Sequence, residues 1–195
     1  MHIENQFPIV CLGNYIDVVH GYAFDGDGIT DSENDPVLVT PGNFEIGGGF
    51  KSDNKKHYHG DYPPEYLLKP GDLIVTMTDL SVSGDTLGYS ALVPDDGNIY
   101  LHNQRIGKIV LKSEKMDKVF LYFLLRTKEY QHYIVSTSTG TAIHHTSPSS
   151  IKTFKFKLLP IDQQRKIASI LYSLERLSIE IAKINDNLGG VCFAS

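Results

Sequence analysis

The chain has 195 residues, of which 41% are hydrophobic and 21% charged, enough for one soluble globular domain with an appendage and a substantial core. Residues 1–99 carry 4 Lys and Arg against 16 Asp and Glu, whereas residues 100–195 carry 14 against 7, for a net charge of −5. This balance excludes nonspecific nucleic-acid binding by the whole chain, although local basic patches remain open.

The first 110 residues predict short strands separated by turns rich in glycine, proline and aspartate. The predicted strands are 7–12, 15–20, 37–40, 73–77, 88–93, 99–102 and 106–111. Apolar residues recur at helical spacing over 115–135, which predicts one helix packed on the sheet. Residues 136–150, almost wholly Ser, Thr, Gly and His, predict a loop, and the alternation over 154–158 predicts a half-buried strand.

The C-terminal stretch has the strongest periodicity. One row of a heptad ladder contains Ile167, Leu174, Ile181 and Leu188, and a second row contains Ile170, Leu177 and Ile184. This a/d pattern, preceded by Pro160 and Asp162 and followed by glycines at 189–190, predicts a helix from about 163 to 188. Such a helix is about 39 Å long at ~1.5 Å per residue. Its stripe predicts pairing with another helix.

The predicted fold class is therefore α+β. A mixed, mostly β domain with one packed helix spans 1–160, a long coiled-coil-forming helix spans 161–190, and an unpatterned tail spans 191–195. No signal-peptide pattern opens the chain, and the longest apolar run, 119–125, is too short to cross a membrane. Cys11 and Cys192 have no metal or redox spacing, so we expect a cytoplasmic protein.

Catalytic and metal-binding motifs find little support. The pairs His57/His59 and His144/His145 could each chelate a metal, but neither has a carboxylate or cysteine at a diagnostic spacing. Nucleophile motifs, phosphate loops and dinucleotide motifs are missing from the sequence. We therefore expect no metal, no cofactor and no catalysis by this chain.

Two loops have the composition expected of nucleic-acid contacts, because Lys can meet phosphates while Asn and His can reach base edges. The candidates in the first loop are Lys51, Asn54, Lys55, Lys56, His57 and His59. The candidates in and after the second loop are Thr141, His144, His145 and Lys152. The alternative interpretation is two solvated surface loops with no binding role.

Several segments together resemble the target-recognition half of the specificity subunit of type I restriction-modification systems. In the family's order they are GYAF (21–24), PVLVTPGN (36–43), KPGDLIVTMTD (69–79), LHNQRIG (101–107), GTAI (140–143), FKLLP (156–160) and QQRKI (163–167). The family's usual Glu-Gln before the long helix is replaced by Gln163-Gln164. The matching segments are largely scaffold, so the resemblance assigns no base-contacting residue.

The resemblance implies a noncatalytic subunit that reads one half of a bipartite site in double-stranded DNA. The helix would set the distance to the other half and dock methyltransferase subunits, which bring S-adenosylmethionine, and restriction subunits would join them. Such subunits normally carry two recognition domains and two long helices, whereas this chain has one of each. The resemblance thus implies a half-subunit that pairs with a second copy. Two alternatives stay open: a truncated module or decoy that binds partners without reading DNA, and an enzyme with an unrecognised site.

Overall fold

The computed structural model describes residues 7–53, 55–81, 83–140 and 143–191, with residues 186–191 described by their backbone alone. The strands are β1 (Ile9–Cys11), β2 (Ile16–His20), β3 (Ile29–Thr30), β4 (Val37–Val39), β5 (Lys56–Tyr58), β6 (Leu67–Leu68), β7 (Leu73–Thr76), β8 (Thr78–Asp79), β9 (Ser90–Leu92), β10 (Tyr100–His102), β11 (Ile106–Leu111), β12 (His144–His145) and β13 (Lys155–Lys157). The helices are α1 (Lys118–Leu124), α2 (Lys128–Ser136), α3 (Pro148–Thr153) and α4 (Ile161–Val191).

Two larger sheets form the body of the protein. The five-stranded sheet has the order β3-β5-β4-β10-β6 and is mixed, because β10 runs parallel to β4 but antiparallel to β6. The four-stranded sheet, β2-β11-β7-β9, is antiparallel throughout. Two short pairs, β1-β13 and β12-β8, complete the sheet structure of the described residues.

Strand β7 links the two hydrophobic cores because its side chains alternate between the two faces of its sheet. Leu73 and Val75 join the first core, in which the four-stranded sheet packs against the helices through residues such as Leu121 and Ile134. Ile74 points to the second core, where it joins residues of the five-stranded sheet. A continuous buried run such as LIVT is expected of a strand covered on both faces.

The structure confirms the predicted α+β class and the strands expected at β1, β2, β4, β7, β9, β10, β11 and β13. The single helix predicted over 115–135 is wrong, because two helices occupy that segment. The Asp117 carboxylate accepts from the Phe120 amide at 2.8 Å and caps α1, and the Thr127 hydroxyl accepts from the Tyr130 amide at 3.3 Å and caps α2. Each cap satisfies a free N–H at a helix start, so the chain stops and restarts between them.

Two predicted loops contain regular structure. β5 lies inside the first candidate loop, and β12 and most of the first turn of α3 lie inside 136–150. Their polar sequences carry no apolar alternation, so the pairing comes from neighbouring strands. Helix α4 also extends beyond the predicted end at 188 and continues through Gly189 and Gly190 to Val191. Glycine weakens a helix by about 1 kcal/mol but keeps its N–H donor, so it does not force a stop.

Candidate functional site

The first candidate loop leads into β5, the strand next to the β3 edge of the five-stranded sheet. Strand β5 lies between β3 and β4, with His57 opposite both Thr30 and Val37. The Lys51 amide donates to the Asn43 carbonyl at 2.9 Å and anchors the start of the loop. Lys51 and Lys55 are half-buried and Lys56 and His59 are exposed, whereas Asn54 lies outside the described residues.

Carboxylates surround this basic loop. The Lys55 ammonium lies 3.9 Å from Asp96, and Nδ1 of His59 lies 3.2 Å from the Asp35 carboxylate. A cleft beside the loop is lined by Asp31, Glu33, Ser52, Lys55, His57 and Asn98. The cleft therefore offers acceptors as well as donors, a mixture better matched to base edges than to phosphates alone.

His57 differs from the other candidates in this loop because its side chain is only 5% exposed. Its Nδ1 atom lies 2.6 Å from the carbonyl oxygen of Asp35, which holds the ring inside the sheet edge. An imidazole enclosed in this way cannot reach into a DNA groove without rearrangement of β5. Its observed contacts are structural.

The second group of candidates lies on β12, which pairs with β8. Nδ1 of His145 is 3.2 Å from the Thr78 hydroxyl, and Nδ1 of His144 is 3.2 Å from the Ser138 hydroxyl. The Nδ1 atom of each histidine thus contacts a neighbouring hydroxyl group of the body. Thr141, predicted in the same loop, lies outside the described residues.

Asp79, next to this pair of strands, is a buried carboxylate that the sequence interpretation had not assigned. It accepts from the Ser81 amide at 2.6 Å and from the Thr86 hydroxyl at 2.7 Å. Burial by itself favours the neutral acid, but these hydrogen bonds outweigh it and lower the pKa of Asp79 below its ordinary value. The ionised carboxylate therefore holds Ser81 and Thr86 close to the end of β8.

Lys152, the last candidate, lies on α3 and contacts Asp17 of β2. Its ammonium is 3.3 Å from one Asp17 oxygen, and the Lys112 ammonium is 3.5 Å from the other. The hydrogen bond from Lys152 is the largest cause of a lowered pKa at Asp17. The predicted set is therefore divided among three places: the β5 edge, the β12 pair and α3.

Sequence reasoning missed an aromatic cluster that contacts β5. Phe24 packs edge-on against Tyr58 at 4.8 Å and against Tyr22 at 5.1 Å, and Tyr22 in turn meets Tyr66 at 5.3 Å. Tyr22 is 38% exposed, so part of one ring faces solvent. In the sequence, the sign of this cluster was the pair of aromatic residues in the GYAF segment. The glycine before them is required by the fold, since a Cβ at Gly21 would lie 2.2 Å from the Asn103 carbonyl oxygen.

Helix α4 is attached to the body along one face. The fully buried Gln164 side chain donates to the Lys115 and Leu159 carbonyls at 2.9 and 2.8 Å and accepts from the Asp117 amide at 3.0 Å. Three turns further on, the Glu175 carboxylate pairs with Arg126 and accepts from the Tyr122 hydroxyl at 2.9 Å. Burial raises the pKa of Tyr122, which keeps this hydroxyl protonated as a donor.

The heptad ladder occupies another face of α4. Ile170, Leu174, Leu177, Ile181 and Ile184 are between 48% and 62% exposed, and Ile167 is 37% exposed. At about 100° per residue, Leu174 and Leu177 point roughly 100° and 160° away from the direction of Glu175. The ladder is therefore separate from the attached face. The Leu188 side chain lies outside the described residues.

The described part of the chain was also compared with the requirements of metal binding and of membrane insertion. Within residues 7–53, 55–81, 83–140 and 143–191, no group of three His, Cys, Asp or Glu side chains is placed to hold a metal ion. No helix in those ranges is long and apolar enough to span a membrane. The arrangement presents hydrogen-bonding loops on a rigid body and an exposed apolar ladder on an attached helix.

The described structure thus combines an α+β body with one long attached helix. The family model for the type I restriction modification DNA specificity domain matches residues 9–188, and the chain belongs to that family. The resemblance drawn from the sequence segments is thereby confirmed. The match includes both the body and most of α4.

Individual relatives give the same assignment. The chain is 27% identical over 121 residues to the type I restriction enzyme MjaVIII specificity subunit of Methanocaldococcus jannaschii, covering 62% of this chain and 28% of that protein. It is 24% identical over 174 residues to the EcoBI specificity subunit of Escherichia coli, covering 89% and 33%. The chain thus spans about a third of the length of these relatives.

A solved structure is similar in fold. The crystal structure of a type I restriction-modification S subunit from M. genitalium superposes with a TM-score of 0.64 at 18% identity. The superposition covers 96% of this chain and 45% of that one. Body and long helix therefore correspond to slightly less than half of that subunit.

Proposed function

We propose that this chain is a noncatalytic specificity component that reads one half of a bipartite site in double-stranded DNA. The observation that carries the proposal is the family match over residues 9–188, which includes the recognition body together with its helix. The relatives' names describe specificity subunits of type I restriction enzymes. DNA reading by this chain is the function that best fits both parts of its architecture.

Recognition in this proposal belongs to the edge of the five-stranded sheet. Lys51 and Lys56 meet phosphates, while the carboxylates and amide of the cleft, such as Glu33 and Asn98, accept from or donate to base edges. Carboxylates near DNA cost affinity but discriminate between bases, because an Asp or Glu accepts from the cytosine amino group and repels a phosphate. The first half of the chain is strongly acidic, and this composition fits a surface that reads bases through carboxylates and uses few cations for phosphates.

Spacing in this proposal belongs to α4. The exposed ladder pairs with the same ladder of a second copy and buries side chains such as Leu177 and Ile181 that now face solvent. A two-fold dimer then presents two identical bodies at a fixed separation. Its preferred site has two inverted copies of one half-site around a nonspecific spacer.

Catalysis in this proposal comes from partner subunits. Methyltransferase subunits dock on the helix pair and bring S-adenosylmethionine, and restriction subunits join the complex. Because the chain carries a net charge of −5, these partners also supply part of the positive surface that faces DNA.

Binding assays and methylation mapping test the proposal. The chain assembled with its methyltransferase should prefer one duplex sequence, and its affinity should fall steeply as salt rises. Long-read mapping of methylated bases should return an inverted repeat with a fixed spacer. Equal affinity for unrelated duplexes would contradict sequence reading, and an asymmetric methylated motif would contradict the homodimer as the active form.

A second candidate is an interaction module that occupies methyltransferase subunits without reading DNA. The observation in its favour is the neutralisation of the candidate loop, since Lys55 faces Asp96 and His59 faces Asp35. This candidate predicts intact dimerisation and partner binding together with no sequence preference. The same assays therefore separate the two functions.

A further inference from the structure

Two polar anchors hold helix α4 on the body, far apart along its axis and in addition to its packing against α1. Gln164 anchors its first turn through three hydrogen bonds, and Glu175 anchors it eleven residues later. The two points are separated by about 16 Å at ~1.5 Å per residue. One attachment fixes where a rod begins, whereas a second attachment at that distance also fixes its direction.

Arg126 is the centre of the second attachment. Its Nη1 group pairs with the Glu175 carboxylate, and its Nε donates to the Gly47 carbonyl at 2.8 Å. The guanidinium also lies over the Tyr122 ring, 4.6 Å from the centroid. The planar fork of arginine can serve both partners in one rotamer, which a lysine cannot do.

The loop on the far side of Arg126 is shaped to receive it. Gly48 has a φ of +87°, and a Cβ at that position would lie 2.5 Å from the Arg126 side chain. The Gly49 amide donates to the Ser90 carbonyl at 2.9 Å, which ties the same turn to β9. This turn leads directly into Lys51, so one side chain connects α4 with the base of the candidate recognition loop.

Beyond Glu175, no hydrogen bond or ion pair joins a described side chain of α4 to the body. A groove opens there between Ile179 and Lys183 of α4 and Pro94 and Asp95 of the body. Ile179 is already 50% exposed, and residues 180–185 are all exposed. In the described part of the chain, Glu175 is therefore the last strong polar attachment of the helix.

We propose that the Arg126–Glu175 pair positions the body on α4 and thereby sets how many base pairs separate two half-sites. The inference rests on the proposed function, because spacing has meaning only if two copies read one DNA. A body of 160 residues has a radius of about 20 Å. A tilt of about 10° about the attachment moves the centre of the body by roughly 3.5 Å, close to the rise of one base pair.

Duplexes that differ only in spacer length test this proposal in the assembled complex. They carry identical inverted half-sites with spacers from two base pairs short to two base pairs long. The unmodified protein should favour its best spacer at least tenfold over neighbours that differ by one base pair. Glu175→Ala should reduce that ratio below threefold, whereas Glu180→Ala, on the same helix in an exposed pair with Arg176, should leave it unchanged.

Half-site preference separates the failure of this inference from the failure of the proposed function. A duplex with altered half-sites should bind equally poorly to the unmodified protein and to Glu175→Ala. Unchanged spacer discrimination in Glu175→Ala, with half-site preference intact, overturns the positioning role alone. If thermal melting shows that Glu175→Ala is unfolded, Tyr122→Phe removes only one hydrogen bond from the carboxylate and should reduce the ratio about twofold; an unchanged ratio overturns the role.

A second measurement needs no DNA. Spin labels at Lys128→Cys on α2 and Lys183→Cys on α4, in a chain with Cys11→Ser and Cys192→Ser, report the distance from body to helix. Glu175→Ala should broaden the distance distribution to about twice its width, and Glu180→Ala should not. Equal widths in all three proteins overturn the inference even if no DNA sequence is preferred.

Discussion

The ladder of α4 and the edge of the five-stranded sheet show opposite relations between side chains and their surroundings. Leu174 and Leu177 are more than half exposed although their apolar surface gains by burial. At the sheet edge, Lys55 and His59 already have acidic neighbours. The helix thus presents apolar side chains that no described residue of the same chain fully covers, whereas Lys55 and His59 of the sheet edge already contact carboxylates of their own chain.

This difference separates the driving forces expected at the two surfaces. Each ladder side chain is already about half buried, so covering the rest against a partner offers about 0.8–1.5 kcal/mol. Each exposed ion pair contributes about 0–1 kcal/mol, and exchanging its carboxylate for a phosphate gains little. We therefore expect helix pairing to supply most of the assembly energy and the sheet edge to supply discrimination between sequences.

The largest expected effect follows from a charge in the ladder. Leu177→Asp should raise the dissociation constant of the proposed homodimer at least roughly hundredfold, since burying an unpaired carboxylate costs about 3 kcal/mol or more. Ala182→Asp introduces the same charge at an exposed position of α4 outside the ladder and should leave the dimer intact. Light scattering gives the masses. A dimer that persists in Leu177→Asp would refute pairing through the ladder.

A smaller effect is expected at Asp79, inside the body. Asp79→Asn weakens charge-assisted hydrogen bonds from Ser81 and Thr86 and should lower the free energy of unfolding by about 1–3 kcal/mol. Asp85→Asn changes an exposed carboxylate that accepts from the Ser83 hydroxyl and should cost less than about 0.5 kcal/mol. Urea unfolding measures both free energies of unfolding. Equal losses would show that the buried hydrogen bonds of Asp79 stabilise the fold no more than the exposed one of Asp85.

The same residue predicts a pH dependence. The folded pKa of Asp79 is lowered, so its stabilisation is fully present above the ordinary carboxyl pKa of about 3.9 and is lost as pH falls through the folded value. The advantage of the unmodified protein over Asp79→Asn should therefore shrink below pH 4. A constant difference between pH 7 and pH 3 would contradict the assigned charge.

Periodicity explains which parts of the fold could be predicted from sequence. The heptads located α4 because helical spacing repeats over many residues, and β7 was recognisable as a short apolar run bounded by turns. β5 and β12 were missed because KHY and HH have no apolar alternation and acquire strand structure only from their partners. Local sequence contains no information about those distant strands.

The candidate site was predicted less well for a similar reason. Composition identified Lys55 and His57, but their partners Asp96 and Asp35 lie 41 and 22 residues away in sequence. Residue type alone therefore could not distinguish an available cation from a paired one, or an exposed imidazole from a buried one. Arg126 and Glu175 likewise had no signal, since each was one charged residue within a segment predicted to be helical.

Lys55 and Lys56 of the sheet edge should differ in their contributions to DNA binding. Composition alone predicts that replacing both with alanine lowers the salt slope by about two phosphate contacts. With Lys55 held near Asp96 and Lys56 exposed, Lys56→Ala should lower the slope by about 0.9 and Lys55→Ala by less than half of that. Lys128→Ala on α2 is the control, and an unaltered slope in every variant would exclude the loop from phosphate contact.

The smallest expected effect comes from releasing Lys55. Asp96→Asn removes the carboxylate charge but keeps a side-chain oxygen that can accept from the Tyr100 hydroxyl, now 2.8 Å away, so the fold should be retained. The freed ammonium can then meet a phosphate, and the salt slope should steepen by up to about 0.9. Adding Lys55→Ala to Asp96→Asn should abolish this gain, since the two changes act on one interaction. Steepening that survives in the double variant would mean that Asp96 repels DNA directly and that Lys55 contributes no contact.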